Sequence, residues 1–226
     1  LIAFGLVGYA IPQEPPIPAI RFGFAEAASP QAVAIRMQIL FLFTILTLAP
    51  SLLFVLTSFT RIIIVFHFLR TAMGTAQMPP NQILIGIALL LTFFIMTPVV
   101  QDINQQAFQP FMREEITFTE MVDTARQPIR KFLISNTQKK DLALFVELSR
   151  SERPRTLDEI PDHVVLGAFL LSEIQVAFQI GFLLFLPFLI IDFVVSSVLL
   201  AMGMMMLPPI TISVPFKILL FILVDG

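Results

Sequence analysis

The chain has 226 residues, of which 57% are hydrophobic and 13% charged, with a net charge of −2, whereas ordinary soluble domains hold about 45–50% and about 25%. This is a membrane-type composition; it excludes a disordered chain, and the missing basic surface excludes a nucleic-acid binder, which must neutralise phosphates. With no Cys in the chain, disulfides, Cys-ligated zinc, iron–sulfur clusters and thiol catalysis are excluded as well.

Residues 1–11 are an apolar run in which Gly8 and Ala10 make a small-x-small pattern before Ile11-Pro12. They read as the end of a signal peptide or as an apolar N-terminal segment. Residues 12–34 form a Pro-rich linker, with Pro12, Pro15, Pro16, Pro18 and Pro30 unable to propagate a helix. Residues 35–100 predict a first helical hairpin, built from apolar runs at 35–73 and 83–100 that are separated by the turn residues from Gly74 to Gln82. The insert 101–163 carries 20 of the 30 charges. Residues 164–226 predict a second hairpin that turns at the Met-rich stretch before Pro208-Pro209. The predicted class is therefore all-α and membrane-associated, with two long kinked hairpins joined by a polar helical insert.

Arg61 and Arg70 near the first connection, with no acidic residue beside them, place that connection in the cytoplasm and the insert outside by the positive-inside rule. Length makes the spans unusual. A helix over the 44 residues from Val164 to Leu207 would extend about 66 Å, while the hydrocarbon core is about 30 Å thick. Pro50, Pro98, Pro187 and Pro215 also fall one to each apolar segment, and a carbonyl freed by proline needs protein or water beside it. Bent helices buried against other subunits meet both demands; tilted, kinked spans in a monomer are the alternative.

In the insert, Thr117 and Glu120 have capping-box spacing, and Val122, Ala125, Ile129, Phe132 and Leu133 follow on one helical face. Pro128 is a possible kink site. A second amphipathic helix starts near Asp141 and turns Leu142, Phe145 and Val146 to one side. These helices cover one another, or Phe132 and Phe145 also touch a neighbouring subunit.

Phosphate-loop, dinucleotide-turn and nucleophile-elbow motifs are absent, and His67 and His163 lie in different blocks without metal-ligand spacing. No enzyme and no cofactor is predicted; both histidines read as packed or interfacial. Glu173, Asp192 and Lys217 are ionisable residues in apolar surroundings, so each must face protein or water. A hairpin turning near Met206 brings Asp192 and Lys217 to similar depth, where they can pair, while Glu173 has no evident partner. A proton relay through the carboxylates is the alternative. Met204, Met205 and Met206 are long, unbranched and polarizable, which makes them core filler in an isolated chain and a deformable gasket in a ring of copies.

Several stretches resemble the FliP family of bacterial flagellar export-gate proteins, homologous to a core component of virulence type III secretion systems. Among them are Thr57-Ser58-Phe59-Thr60-Arg61-Ile62, Leu69-Arg70-Thr71-Ala72-Met73-Gly74, Ala177-Phe178-Gln179-Ile180-Gly181-Phe182, Leu186-Pro187-Phe188-Leu189-Ile190-Ile191-Asp192 and Ala201-Met202-Gly203-Met204-Met205-Met206. The likeness runs from about residue 36 to the end, and the Arg70 to Thr75 connection is flagellar in character rather than injectisome-like. It implies a non-enzymatic subunit that assembles in several copies with FliQ and FliR, associates with FlhA and FlhB, and passes unfolded flagellar proteins across the bacterial cytoplasmic membrane at the basal body, in contact with lipid. It also implies that Met204, Met205 and Met206 seal the closed pore. Two positions depart from the family: Gln175 stands where members often carry Lys, and members continue beyond the pair found here as Asp225-Gly226. A virulence-system subunit and a proton-coupled small-solute transporter using Glu173 and Asp192 are the alternative functions.

Overall fold

The structure, a computed structural model, describes residues 30–75, 78–149, 154, 156–204 and 206–224. The N-terminal segment 1–11, most of the linker and Met205 lie outside the described residues. The chain divides into two units, residues 1–46 and 47–226. Of the first, the described part is the beginning of helix α1 (Pro30–Leu56), which exposes Met37, Leu40, Phe41 and Leu42. Pro30 opens this helix, where its locked φ and missing N–H cost nothing, so residues 30–34 of the expected linker are helical.

The second unit holds the rest of α1, then α2 (Phe59–Ala72), α3 (Asn81–Ile103), a π-helical turn (Asn104–Phe108), α4 (Gln109–Met112), α5 (Phe118–Asn136), α6 (Lys139–Leu148), a short 3-10 turn (Leu157–Glu159), α7 (Asp162–Ala201) and α8 (Pro209–Leu223). No strand occurs among the described residues. Two helical stretches are long and apolar enough to cross a membrane: Asn81–Met112, 32 residues, and Asp162–Ala201, 40 residues.

The first apolar region differs from a simple hairpin, because the run 35–73 breaks at Thr57-Ser58 and the region becomes three helices. Hydroxyls make that break possible without leaving bare carbonyls. Thr57 Oγ1 donates to the Leu53 carbonyl at 2.5 Å and Thr60 Oγ1 to the Phe54 carbonyl at 2.8 Å, while Thr57 Oγ1 also accepts the Phe59 N–H at 3.3 Å. Two hydroxyl residues inside an apolar run carry too little polarity to announce a helix end by composition.

α7 is the spine of this unit. The ion pair between Arg61 and Glu173 and the seat of Phe68 at Gly181 rise together along both helices, so α2 runs parallel to α7. A Cβ on Gly181 would lie 2.5 Å from a ring carbon of Phe68 and 3.0 Å from its Cβ. Close approach of the two helices therefore depends on that glycine. At the other end, Leu133, Leu142, Ile160, Val164, Val165, Ala168 and Phe169 form the buried core that joins the polar insert to the start of α7. Phe132 packs at a tilt against Phe169 with ring centroids 5.9 Å apart, and Phe145 sits over Gly167, whose Cβ would meet the ring at 2.4 Å.

One residue of the expected α5 face turns out of this core. Val122 is exposed, whereas Ile129, Phe132 and Leu133 pack against it. Periodicity assigns a face to the whole helix, but the first two turns of α5 carry no residue of that core. Arg130, buried, fastens the 3-10 turn by donating to the carbonyls of Leu157 at 2.8 Å and Ile160 at 2.6 Å and by pairing with Asp162.

The start of α5 is a full capping box. The Glu120 carboxylate accepts the Thr117 N–H at 2.8 Å, and the Thr117 hydroxyl accepts the Glu120 N–H. The Thr117 backbone N–H, then its hydroxyl, hold the Glu120 carboxyl below its ordinary 4.5. A carboxylate with a lowered folded pKa supports the fold above its unfolded pKa and loses that support as pH falls through the folded value. Amide protection in the first turn of α5 should therefore drop on acidification below pH 4.5. Glu120→Gln, which keeps the acceptor but does not titrate, should flatten that response. In the spine, Gly181→Ala should lower the melting temperature in detergent by forcing α2 from α7. Gly86→Ala, whose Cβ meets nothing within 4 Å, should raise stability by about 0.5–1 kcal/mol through helix propensity.

Candidate functional site

Three polar knots hold the apolar helices, and each is built on α7. The first is Glu173, 1% exposed, which accepts Arg61 Nε at 3.0 Å on one oxygen and Arg61 Nη2 on the other. A two-pronged guanidinium satisfies both carboxylate oxygens, the geometry in which a buried pair can offset its own desolvation. Sequence reading leaves Glu173 without a partner, because Arg61 is 112 residues away and is counted among the charges of the first connection. Its charge is committed within the fold instead. Arg70 is the residue that braces the connection, donating to Asn81 Oδ1 at 2.5 Å and to the Pro79 carbonyl at 3.4 Å.

The second knot is next along the chain. Ser172, fully buried, accepts the Gln138 N–H at 2.9 Å and donates to Asp141 Oδ2 at 2.6 Å, while Gln175 Nε2 donates to Asp141 Oδ1 at 3.2 Å. The start of α6 is thereby clamped to the same turn of α7 that carries Glu173. At position 175, a neutral amide makes the contact to the carboxylate. Nothing in the spacing of Gln138, Asp141 and Ser172 marks this clamp, since Asp141 looks like an ordinary helix-start residue and Ser172 like a small residue inside an apolar helix.

The third knot joins α8. Lys217, 2% exposed, donates to Asp192 Oδ2 at 2.7 Å, and Ser213 Oγ donates to Asp192 Oδ1. The connection after α2 closes over them: Gly74, at φ +72°, has Val214, Ile210 and Lys217 Nζ within 4 Å of where a Cβ would stand. The positive φ and the tight space both require glycine there. α8 thus returns along α7, and the turn between them stands about 14 Å beyond Asp192, nine residues on at the helical rise.

That turn carries the methionines. Gly203 takes φ +73° and ends α7, and Met204 and Met206 are exposed, Met206 at 98%. Phe132 and Phe145, by contrast, are half-buried against α7 of their own chain. Both histidines are exposed, with His67 Nδ1 3.1 Å from Arg70 Nη2. The sides of α7 past Gly181 are largely bare, including Phe182, Leu183, Ile190, Phe193 and Leu200. Bare apolar helices long enough to cross a membrane, polar knots that are already satisfied and an exposed methionine turn suit a structural or transport protein of the membrane.

The FliP family profile matches residues 42–226. Similar proteins are the "Flagellar biosynthetic protein FliP" of Bacillus subtilis, 50% identical over 89% of this chain and 91% of its own length, and that of Pectobacterium carotovorum, 48% identical over 87% and 76%. The protein of the same name from Borreliella burgdorferi is 45% identical over 86% and 78%. The chain belongs to the FliP family.

Breaking a buried pair costs most when the survivor is the deeper partner. Arg61→Ala strands Glu173 and should cost about 3–5 kcal/mol, more than Glu173→Ala, because Arg61 is 28% exposed and can hydrate. The order reverses between Asp192 and Lys217: Asp192→Ala, which strands the buried amine, should lower the melting temperature further than Lys217→Met.

Proposed function

We propose that the chain is a channel-forming subunit of the flagellar type III export gate, passing unfolded flagellar proteins from the cytoplasm across the cytoplasmic membrane at the basal body. Membership of the FliP family and the flagellar names of the relatives support the flagellar assignment over a virulence system. The observation that carries the channel reading is the hairpin of α7 and α8. Its 40-residue helix is about 60 Å long, twice the hydrocarbon thickness, its sides past Gly181 are apolar and largely bare, and its tip carries the exposed Met204 and Met206.

Such a hairpin is sheltered by further copies and by sister subunits, FliQ and FliR, with FlhA and FlhB alongside. Pro50, Pro98, Pro187 and Pro215, one inside each of α1, α3, α7 and α8, let these helices bend to fit a helical ring, and Phe132 and Phe145, each still half-exposed, are candidates for contact between copies. On this reading residues 101–163 lie on the extracytoplasmic side. Met204, Met205 and Met206 from each copy converge as a passive gasket: thioether chains slide over one another and over varied polypeptides without a fixed hydrogen-bonding pattern.

A proton-coupled small-solute transporter is the weaker reading. Glu173 and Asp192 are each held by a cation and stand about 28 Å apart along α7, 19 residues at the helical rise, too far to exchange a proton. Replacing Met204, Met205 and Met206 together by Ala should make cells leak ions through the closed gate while flagellar export continues. A membrane that stays ion-tight in that variant would remove the gasket.

A further inference from the structure

Met206 differs from the other described methionines in its surroundings. It is 98% exposed, whereas Met37, Met78, Met112 and Met202 fall between 61% and 69% and Met73, Met96 and Met121 are half-buried. The turn itself presents it. Gly203, at φ +73°, closes α7 with paired hydrogen bonds: its own N–H donates to the Leu200 carbonyl at 3.0 Å and the Met204 N–H to the Leu199 carbonyl at 2.9 Å. This is the glycine-ended helix stop that turns the chain away from the axis. Pro208 and Pro209, with φ fixed by their rings, open α8 on the other side. Met206 lies between two fastened ends, and its side chain barely touches its own chain.

The placement decides what oxidation does there. The chain has no Cys, so its thioethers are the sulfur groups that a peroxide meets. In a packed core a sulfoxide disrupts the fold. At Met206 no packing is lost, and what changes is the polarity of the turn. Residues Met202 to Pro209 hold no side-chain hydrogen-bond donor, and the two prolines lack an N–H as well. A sulfoxide oxygen placed among them must draw water, because a polar group left dry and unpartnered is costly. Thioethers close a dry contact, and sulfoxides wet it.

We propose that Met206 is a site of reversible oxidation by hydrogen peroxide and that its sulfoxide loosens the methionine seal. The inference rests on the gasket reading above and adds a means of control. The sulfur attacks one peroxide oxygen: an S–O bond forms, the O–O bond breaks, and the second oxygen leaves as water with both peroxide protons. Sulfur is oxidised by two electrons and the peroxide is reduced by two. Methionine sulfoxide reductases reverse the change, two thiols passing to a disulfide while the oxygen leaves as water. Hydrogen peroxide is small and uncharged, so it reaches the turn from water on either side of the seal.

The test uses the intact gate in native membranes. Hydrogen peroxide should add one oxygen to Met206 sooner than to Met78 or Met112, read by peptide mass spectrometry, and the ion leak through the closed gate should rise several-fold with it. Reductases for both sulfoxide epimers, supplied with a thiol reductant, should bring the leak back to its starting level. Met206→Leu, compared with its own untreated membranes, should lose most of that rise. Met206→Gln, whose amide is polar without any oxidant, should leak several-fold with no peroxide added. Met206 left unoxidised while Met78 and Met112 react, an equal rise in Met206→Leu, or a tight membrane around fully oxidised Met206 would each overturn the proposal. The triple Ala replacement of Met204, Met205 and Met206 separates these results from failure of the gasket. If that variant leaks and the oxidised gate does not, the seal stands and its control by oxidation falls. If neither leaks, the gasket reading falls and takes the oxidation control with it.

Discussion

A carboxylate buried inside a packed apolar helix pair must be met by a cation or it will not stay ionised, and in this protein that demand falls on Glu173. Arg61 answers it with two parallel hydrogen bonds. The direction of α2, its register on α7 and the use of Gly181 as a seat for Phe68 all follow from bringing these two groups together. Because Ser172 clamps the start of α6 through Asp141 on the same turn, a single stretch of α7 sets the position of both the first hairpin and the insert. Moving Glu173 would therefore disturb elements on both sides of it.

The second anchored point, Asp192 with Lys217 and Ser213, has a different consequence. It fixes where α8 returns and leaves the end of α7 and the methionine turn projecting past the Gly74 connection. Everything beyond that point is held by one hairpin alone. Polar anchors at two depths and bare apolar sides elsewhere divide the labour: ionic contacts specify register within the chain, and nonspecific apolar surface is left for whatever surrounds it. In lipid, apolar packing gives little orientation by itself, so sparse buried charges suffice to set the geometry.

For a subunit of an export gate this division has a mechanical logic. On the channel reading proposed above, varied unfolded chains would pass a closure that recognises none of them, and methionine side chains deform without a required partner. The insert packs on the start of α7 around a dry hydrophobic core that includes Val165 and Phe169, a folded body distinct from the bare apolar hairpins.

Much of this was legible in the residues. The apolar runs, the separation at Gly74 and at Pro208-Pro209, the capping box at Thr117 and Glu120 and the isolation of Glu173, Asp192 and Lys217 are local patterns, and local chemistry decides them: helix period, turn residues and the cost of charge in oil. Other features were not legible. The break at Thr57-Ser58 depends on hydroxyls reaching particular carbonyls, and Val122 is exposed because the packed face of α5 begins further along the helix. The union of Arg61 with Glu173 spans 112 residues. By itself the sequence determined which segments are helical, which faces are apolar and which charges need partners. Only the tertiary structure decided who those partners are, because a pairing between distant residues is set by the packing of whole helices, and no short stretch of chain contains that information.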